Sequence, residues 1–248
     1  MKETSNCSAL WGKCALITGS TRGIGRAIAS GLLEAGCRVV LNCTHHPEQG
    51  LACREELSIL GPTRLVVADA SSGEGITALL QEVVQSQTPL DYLVHTVGLI
   101  QHKPWDRTSE EEWDQAMAVN LKSAWLIARR SAAWMADGGA MLFLASTSAE
   151  RVETDALPYS VAKAGLLALT RGLAAILAPR LRVNALSPGY IDTEFDPQDR
   201  AMARQITPHL PLRRYGSPKE VAQAALTLLT NPFITGQILR VDGGESLL

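Results

Sequence analysis

Short apolar runs alternate with amphipathic stretches along the whole chain, and this alternation restricts the possible folds more than any other feature. Runs at Lys13–Thr18, Arg38–Cys43, Arg64–Ala68, Leu90–His95, Ala140–Ala145, Arg182–Leu186 and Gln237–Val241 read as strands. Between them, Gly23–Ala35, Glu48–Leu60, Gly75–Gln87, Ser109–Ala136, Tyr159–Leu177 and Pro218–Leu229 carry helical spacing. The strands are short and nearly all apolar, as strands covered on both faces should be. Regular strand–helix alternation requires βαβ crossovers. It therefore implies an α/β fold with a doubly wound parallel sheet of about seven strands and helices on both faces. The 248 residues fit one continuous domain, 1–248, with residues 1–10 as an N-terminal extension. No repeat or linker interrupts it. Residues 188–217 lack periodicity and hold Pro188, Pro197, Pro208 and Pro211, so this stretch is expected to be a functional lid.

A formal net charge of −2 supplies no basic field for nucleic acid or anionic lipid. No apolar run approaches a membrane span, and residues 1–10 lack the apolar core of a signal peptide. Cysteines at 7, 14, 37, 43 and 53 are odd in number and form no Cys-x-x-Cys pair, which suits free thiols in a reducing cytoplasm.

The first strand runs directly into Gly19-Ser20-Thr21-Arg22-Gly23-Ile24-Gly25, where a helix opens. Glycines at that junction permit a tight turn and close backbone approach. The helix N-terminus then aims its N–H groups and positive dipole end at a pyrophosphate. Further along stand Asp69-Ala70 after the third strand, Asn120 within a helix, Ser146 ahead of Tyr159-x-x-x-Lys163, Pro188-Gly189, and Val241-Asp242-Gly243-Gly244. Tyr159 and Lys163 are four residues apart on a helix and share a face. Ser146, just past a strand end, can meet them at the carboxyl edge of the sheet, where doubly wound folds bind ligands.

With the Gly-x-x-x-Gly-x-Gly spacing, this set of motifs resembles the short-chain dehydrogenase/reductase family over roughly residues 10–244. It is nearest in pattern to the 3-oxoacyl-carrier-protein reductases. The resemblance implies a Rossmann-type fold and a nicotinamide cofactor held by Gly19, Ser20, Thr21, Arg22, Gly23, Ile24 and Gly25. Thr44, Asp69, Ala70 and Gly98 are implied on its adenosine side. Tyr159, Lys163, Pro188, Gly189, Ile191 and Thr193 are implied around the nicotinamide. Its catalytic residues would be Asn120, Ser146, Tyr159 and Lys163, with no metal.

Residue chemistry agrees. The second strand ends Asn42-Cys43-Thr44-His45-His46, with no carboxylate before Glu48 to repel a 2′-phosphate. The Arg22 guanidinium suits such a phosphate, so NADPH is expected over NADH. His45 and His46 lack a third ligand at metal-site spacing. In carbonyl reduction Tyr159 would donate the proton, Lys163 would lower the phenol pKa, and Ser146 would polarise the carbonyl. Asn120 matches an asparagine that supports a water chain to the lysine.

His95-Thr96-Val97-Gly98 departs from the family's usual Asn-Asn-Ala-Gly, and His95 is expected to be a satisfied core histidine. Ile100, Trp105, Glu150, Arg151, Val152 and Tyr190 are expected to line the substrate site. The substrate is expected to be a small-molecule carbonyl, free or carried on an acyl-carrier protein. For docking such a carrier, Arg129, Arg130, Arg180 and Arg182 are the candidates. The resemblance also implies a homotetramer built through the Ser109–Ala136 and Tyr159–Leu177 helices and the C-terminal segment. Competing readings are a sugar or secondary-alcohol dehydrogenase running oxidatively, a silent NADP-binding regulatory protein, and a structural subunit.

Overall fold

The computed structural model describes residues 10–85, 89–193 and 203–248. Seven parallel strands form one sheet in the order β3-β2-β1-β4-β5-β6-β7. They are β1 Cys14–Thr18, β2 Arg38–Cys43, β3 Thr63–Val67, β4 Leu90–His95, β5 Met135–Leu144, β6 Arg182–Pro188 and β7 Ile238–Val241. Registers such as Ile17↔Val94 and Leu142↔Asn184 bring the strand carboxyl ends to one edge. Chain order reverses between β1 and β4, and doubly wound sheets open a crevice at such a point.

Burial follows position in the sheet. Every residue of β1 and β4 is buried, because helices cover both faces. The edge strands β3 and β7 are only part-buried, so the all-apolar expectation holds for the centre and relaxes at the rims. Helices α1 Gly23–Glu34 and α7 Pro218–Thr230 pack over one face around Ile17, Ile28, Leu41 and Leu142. Helices α3 Gly73–Gln85, α5 Ser123–Ser131 and α6 Leu157–Leu177 enclose Leu16, Leu93, Phe143 and Leu166 on the other. Helix α2 Pro47–Ser58 flanks β3. Cys14, Cys37, Cys43 and Cys53 are free and buried, and burial pushes the Cys37 thiol up to about 12.

The expected helix Ser109–Ala136 is not continuous. Ser109 and Glu112 form a reciprocal capping box that starts α4, Glu110–Met117. The helix widens into a π turn over Ala118–Lys122, resumes as α5, and tightens over Ala132–Trp134. Met135 to Gly139 then belong to β5, where Met135 aligns with Leu90 and Gly138 takes φ +80. The apolar Trp134-Met135-Ala136 run imitates another helical turn, and backbone pairing with β4 overrides it.

The helical stretch Thr154–Leu177 is long and apolar enough to cross a membrane, with mean hydropathy 1.4. It carries buried Ser160, Lys163 and Thr170, and packs along β6. In the 188–217 stretch, residues 194–202 lie outside the described residues. Around them Ile191 bridges to Gly216, and Thr207–His209 form one 3-10 turn.

Candidate active site

A cleft of about 530 Å³ opens at the carboxyl ends of β1, β2 and β4. Gly19, Thr21, Arg22, Thr44, Asp69 and Gly98 line it, together with His45, His46, Gln49, Ser71, Thr96 and Val97. The turn after β1 is compressed against its own helix. A Cβ on Gly25 would collide with the Gly19 carbonyl oxygen. Gly23, at φ +53, would bring a Cβ to 3.4 Å from the Thr193 side chain. The first turn of α1 has no acidic side chain, and Arg22 carries no side-chain cap bond. Its open N–H groups and dipole therefore face the cleft. These features fit a dinucleotide pyrophosphate.

Not every glycine-turn residue points into that space. Ser20 is fully buried, and its Oγ accepts from the Asn42 N–H at 2.9 Å. Asn42 Oδ1 accepts from the Gly19 N–H at 3.1 Å, while its Nδ2 donates to the Ala68 carbonyl at 2.9 Å. Asn42 thus ties the turn to the ends of β2 and β3. Its signal in the sequence is a lone amide closing an apolar strand, and sequence reasoning passed over it. Ile24 packs against the core beneath the turn, Ala70 is wholly buried, and Ile191 is buried in the α1–α7 core.

Arg22 is exposed and forms no ion pair among the described residues. Opposite it, Thr44, His45 and His46 form the turn after β2, with His46 at φ 57 just ahead of Pro47. Among the described residues, no carboxylate from β2 or this turn enters the cleft. Thr44 Oγ1 donates to the Ala68 carbonyl at 3.3 Å. Asp69 Oδ1 accepts from the Ser71 N–H at 2.9 Å and from its hydroxyl at 2.7 Å, which makes it a turn carboxylate that also borders the cleft.

Ser146, Tyr159, Lys163 and Asn120 converge beside the inner end of this cleft. Lys163 is buried and donates from Nζ to the Leu144 carbonyl at 2.7 Å. Its Nζ sits 5.5 Å from the Tyr159 ring centre. The Ser146 hydroxyl is near enough to the Tyr159 phenol to pull its pKa down. Asn120 lies in the π turn, where Nδ2 donates to the carbonyls of Leu99 and Ala116 and Oδ1 accepts from the Leu99 N–H at 3.0 Å. A π turn widens a helix locally and commonly marks a functional position. Gly98 lies between them, since a Cβ there would touch both Asn120 Oδ1 and Lys163 Nζ.

Electrostatics refine the expected chemistry. Burial lowers Lys163 to about 8. Burial raises Tyr159; the nearby Ser146 hydroxyl opposes the rise and the charge of Glu153 adds to it. The expected lowering of the phenol by Lys163 is therefore not expressed in this geometry, because the ammonium is turned to Leu144. Tyr159 is a protonated acid at neutral pH.

The His95-Thr96-Val97-Gly98 departure has a structural account. His95 is buried, and its ring bridges Thr18 Oγ1 at 3.0 Å and Ser123 Oγ at 2.9 Å. Ser123 donates its own proton to the Val119 carbonyl at 2.6 Å, so Nε2 carries the imidazole proton and Nδ1 accepts from Thr18. Burial, reinforced by Lys163, lowers His95 to about 3 and keeps it neutral. Thr96 Oγ1 closes the network by donating to the Thr18 carbonyl at 2.6 Å. His95 is the satisfied core residue expected, and it couples the first turn of the cleft to the π turn of Asn120.

Beyond β6, Gly189 donates to the Val241 carbonyl at 3.2 Å, and Thr193 packs over Gly23. Pro188 to Thr193 thus crosses from the C-terminal strand to the glycine turn. Of the expected substrate lining, Ile100, Trp105 and Val152 are exposed. Glu150 is held by Arg240 at 2.6 Å, and Arg151 donates to the Glu245 carbonyl at 3.1 Å. Ser148 and Glu153, which sequence reasoning missed, are hydrogen-bonded in series to Ser146. The carrier-docking arginines are also committed elsewhere. Arg130 binds Gly73 and Thr77, Arg180 binds Met135 and Ala132, and Arg182 binds Leu228, Leu229 and Ile234. Arg129 stacks on Trp125. Arg182 opens β6 at the end of the sheet away from the cleft.

Comparison with known proteins agrees with this geometry. A family model described as enoyl-(acyl carrier protein) reductase matches residues 19–246. The chain belongs to the short-chain dehydrogenase/reductase family and is an oxidoreductase of that class. It is 34% identical over 243 residues to the 3-oxoacyl-[acyl-carrier-protein] reductase FabG of Aquifex aeolicus, covering 95% of this chain and 98% of the relative. A short-chain dehydrogenase/reductase from Serratia marcescens superposes with TM-score 0.91 at 31% identity, over 96% of this chain and 99% of that one. A short-chain dehydrogenase from Burkholderia cenocepacia, solved in complex with NADP, gives TM-score 0.89 at 29% identity, over 95% and 98%.

Proposed function

We propose that this chain is an NADPH-dependent ketoreductase. It reduces a 3-oxoacyl thioester-like or specialised-metabolite carbonyl to a secondary alcohol, with Tyr159 as acid/base. The observation that carries this reading is the convergence of Ser146, Tyr159 and buried Lys163 at the inner end of a dinucleotide-shaped cleft. The relatives named above support the chemical class.

NADPH, when bound, supplies the hydride. The chain's own groups do the rest. The α1 N-terminus and the glycine turn hold the pyrophosphate, and Arg22 takes the 2′-phosphate beside Thr44. Lys163 holds the nicotinamide ribose, and Pro188, Gly189, Ile191 and Thr193 cover the carboxamide side. Ser146 orients the carbonyl, and Tyr159 delivers the proton to the developing alkoxide. Asn120 keeps the wall beside Lys163 in place through its bonds to Leu99. Lys163, poised near neutrality by burial, returns a proton to Tyr159 between turnovers.

Because the four arginines are held by backbone carbonyls or stacked, carrier docking through them is not part of the proposal. The substrate is a small-molecule carbonyl, free or carried on an acyl-carrier protein, with the cytoplasm its setting and a homotetramer its form. NADPH consumption against acetoacetyl thioesters, quinones, cyclic ketones and keto sugars, with NADH in parallel, tests the reading. The expected result is turnover of at least one ketone class with kcat/KM at least tenfold higher for NADPH. Equal use of both cofactors would overturn the Arg22 assignment. Efficient oxidation of sugars or secondary alcohols without ketone reduction would favour the dehydrogenase reading.

A further inference from the structure

The floor beneath the dinucleotide cleft is organised by one amide. Asn42, next to last in β2, is fully buried and lines no part of the cleft. On one side it holds the glycine turn at three points. Its Oδ1 accepts from the Gly19 N–H at 3.1 Å, its own N–H donates to Ser20 Oγ at 2.9 Å, and its carbonyl accepts from the Ser20 N–H at 3.0 Å. On the other side Nδ2 donates to the Ala68 carbonyl at 2.9 Å, with the Val66 and Cys43 carbonyls at 3.2 Å. The Ala68 carbonyl also accepts from Thr44 Oγ1 at 3.3 Å, and Asp69 follows it directly. Thr44 and Asp69 both line the cleft.

A side-chain amide has an acceptor at one end and a two-proton donor at the other. With an N–H at one end and three carbonyls at the other, only one orientation of Asn42 satisfies both. A carboxylate would set an oxygen against the carbonyls, and an apolar side chain would leave both ends unpaired.

We infer that Asn42 is a positioning residue that couples the pyrophosphate turn to the 2′-phosphate side of the adenosine pocket, and so sets cofactor affinity without touching the cofactor. This rests on the proposed roles of the glycine turn, Arg22 and Thr44, and not on which ketone is reduced. The turn follows β1 and the Thr44 corner follows β2, and a bound dinucleotide spans the two. Gly19 sits at φ +61, a conformation that glycine leaves readily when nothing holds it. Asn42 fixes both walls before the cofactor arrives, and such preorganisation lowers the ordering cost of binding. It also occupies the Gly19 N–H, so the pyrophosphate is met by N–H groups further along the turn.

The test combines fluorescence titration with NADPH and competition by adenosine 2′,5′-bisphosphate. The bisphosphate carries the 2′-phosphate and one phosphate of the pyrophosphate, without nicotinamide. Both are measured on the parent, Asn42→Leu, Asn42→Ser, Thr44→Val, and Asn42→Leu combined with Thr44→Val. The ligand-dependent rise in melting temperature is read in parallel, so a destabilised variant still reports its affinity. The expected result is a Kd at least tenfold higher for both ligands in the Asn42 variants. In turnover the loss should fall on KM for NADPH rather than on kcat. Thr44→Val should weaken the bisphosphate in the parent, and should weaken it at least threefold less beside Asn42→Leu, because groups in one network do not act additively. Kd values within twofold of the parent would overturn the inference. A kcat that falls as far as the affinity would also overturn it, by marking a general loss of site structure. Additive effects of Asn42→Leu and Thr44→Val would overturn it too, since the two sides would then be independent. A parent that binds neither ligand would overturn the cofactor reading along with the inference. A parent that binds both, matched by its variants, would overturn the inference alone.

Discussion

His95 shows how a single buried ring carries both stability and site geometry. It is held neutral, with its pKa lowered to about 3, while an unfolded histidine titrates near ~6.5. Below that value the unfolded chain binds a proton that the folded chain refuses, so stability falls as pH falls from about 6.5 towards 3. The slope for this one group approaches ~1.4 kcal/mol per pH unit. Urea denaturation at several pH values should show that slope, and His95→Asn should flatten it. Lys163 works in the opposite range. Its pKa is lowered to about 8, so its buried ammonium costs stability below that value and the cost is relieved as pH rises from about 8 towards 10.5. Lys163→Met is therefore expected to abolish turnover at pH 7 without lowering the melting temperature, a separation of function from stability that calorimetry can read directly.

At the scale of elements, the turn between β1 and α1 is the most tightly specified piece of the fold. Gly25→Ala should weaken dinucleotide binding more than tenfold, because a methyl group there meets the Gly19 carbonyl oxygen and displaces the helix start. Fluorescence titration with NADPH measures it. This turn was legible from the sequence because its constraint is local: glycine spacing at a strand–helix junction. The pairing of Tyr159 with Lys163 was legible for the same reason, as a helical four-residue spacing. What escaped depended on contacts distant along the chain. Met135 and Ala136 read as helix until the β4 backbone claimed them, and the π turn around Asn120 leaves the apolar pattern almost unchanged. Ser148 and Glu153 were hidden because a short loop gives no periodic signal, and only its folding against α6 brings the carboxylate to the serine.

Across the whole molecule, the exposed aromatic side chains set an expectation about assembly. Trp113, Trp125 and Trp134 remain 38%, 41% and 51% exposed in the single chain, although they lie along the segment expected to join subunits. Such surface is costly to leave in water, and its burial between copies would stabilise a tetramer. Gel filtration with light scattering should give four copies, and Trp125→Glu should shift the population towards smaller species. Cofactor binding should also protect the fold as a unit. NADPH at a hundred times its Kd is expected to add about 2.7 kcal/mol to stability, and NADH at the same concentration clearly less. A folded protein with the cleft, the glycine turn and the Ser146–Tyr159–Lys163 cluster in place is thus expected to depend on one phenol for turnover.

The decisive measurement is ketone-dependent NADPH oxidation by the parent protein and by Tyr159→Phe, with NADPH affinity measured on both. The phenol-donor account predicts a loss of at least a hundredfold in kcat in the variant with Kd for NADPH unchanged. A variant that turns over within a few-fold of the parent while binding NADPH equally well would contradict it.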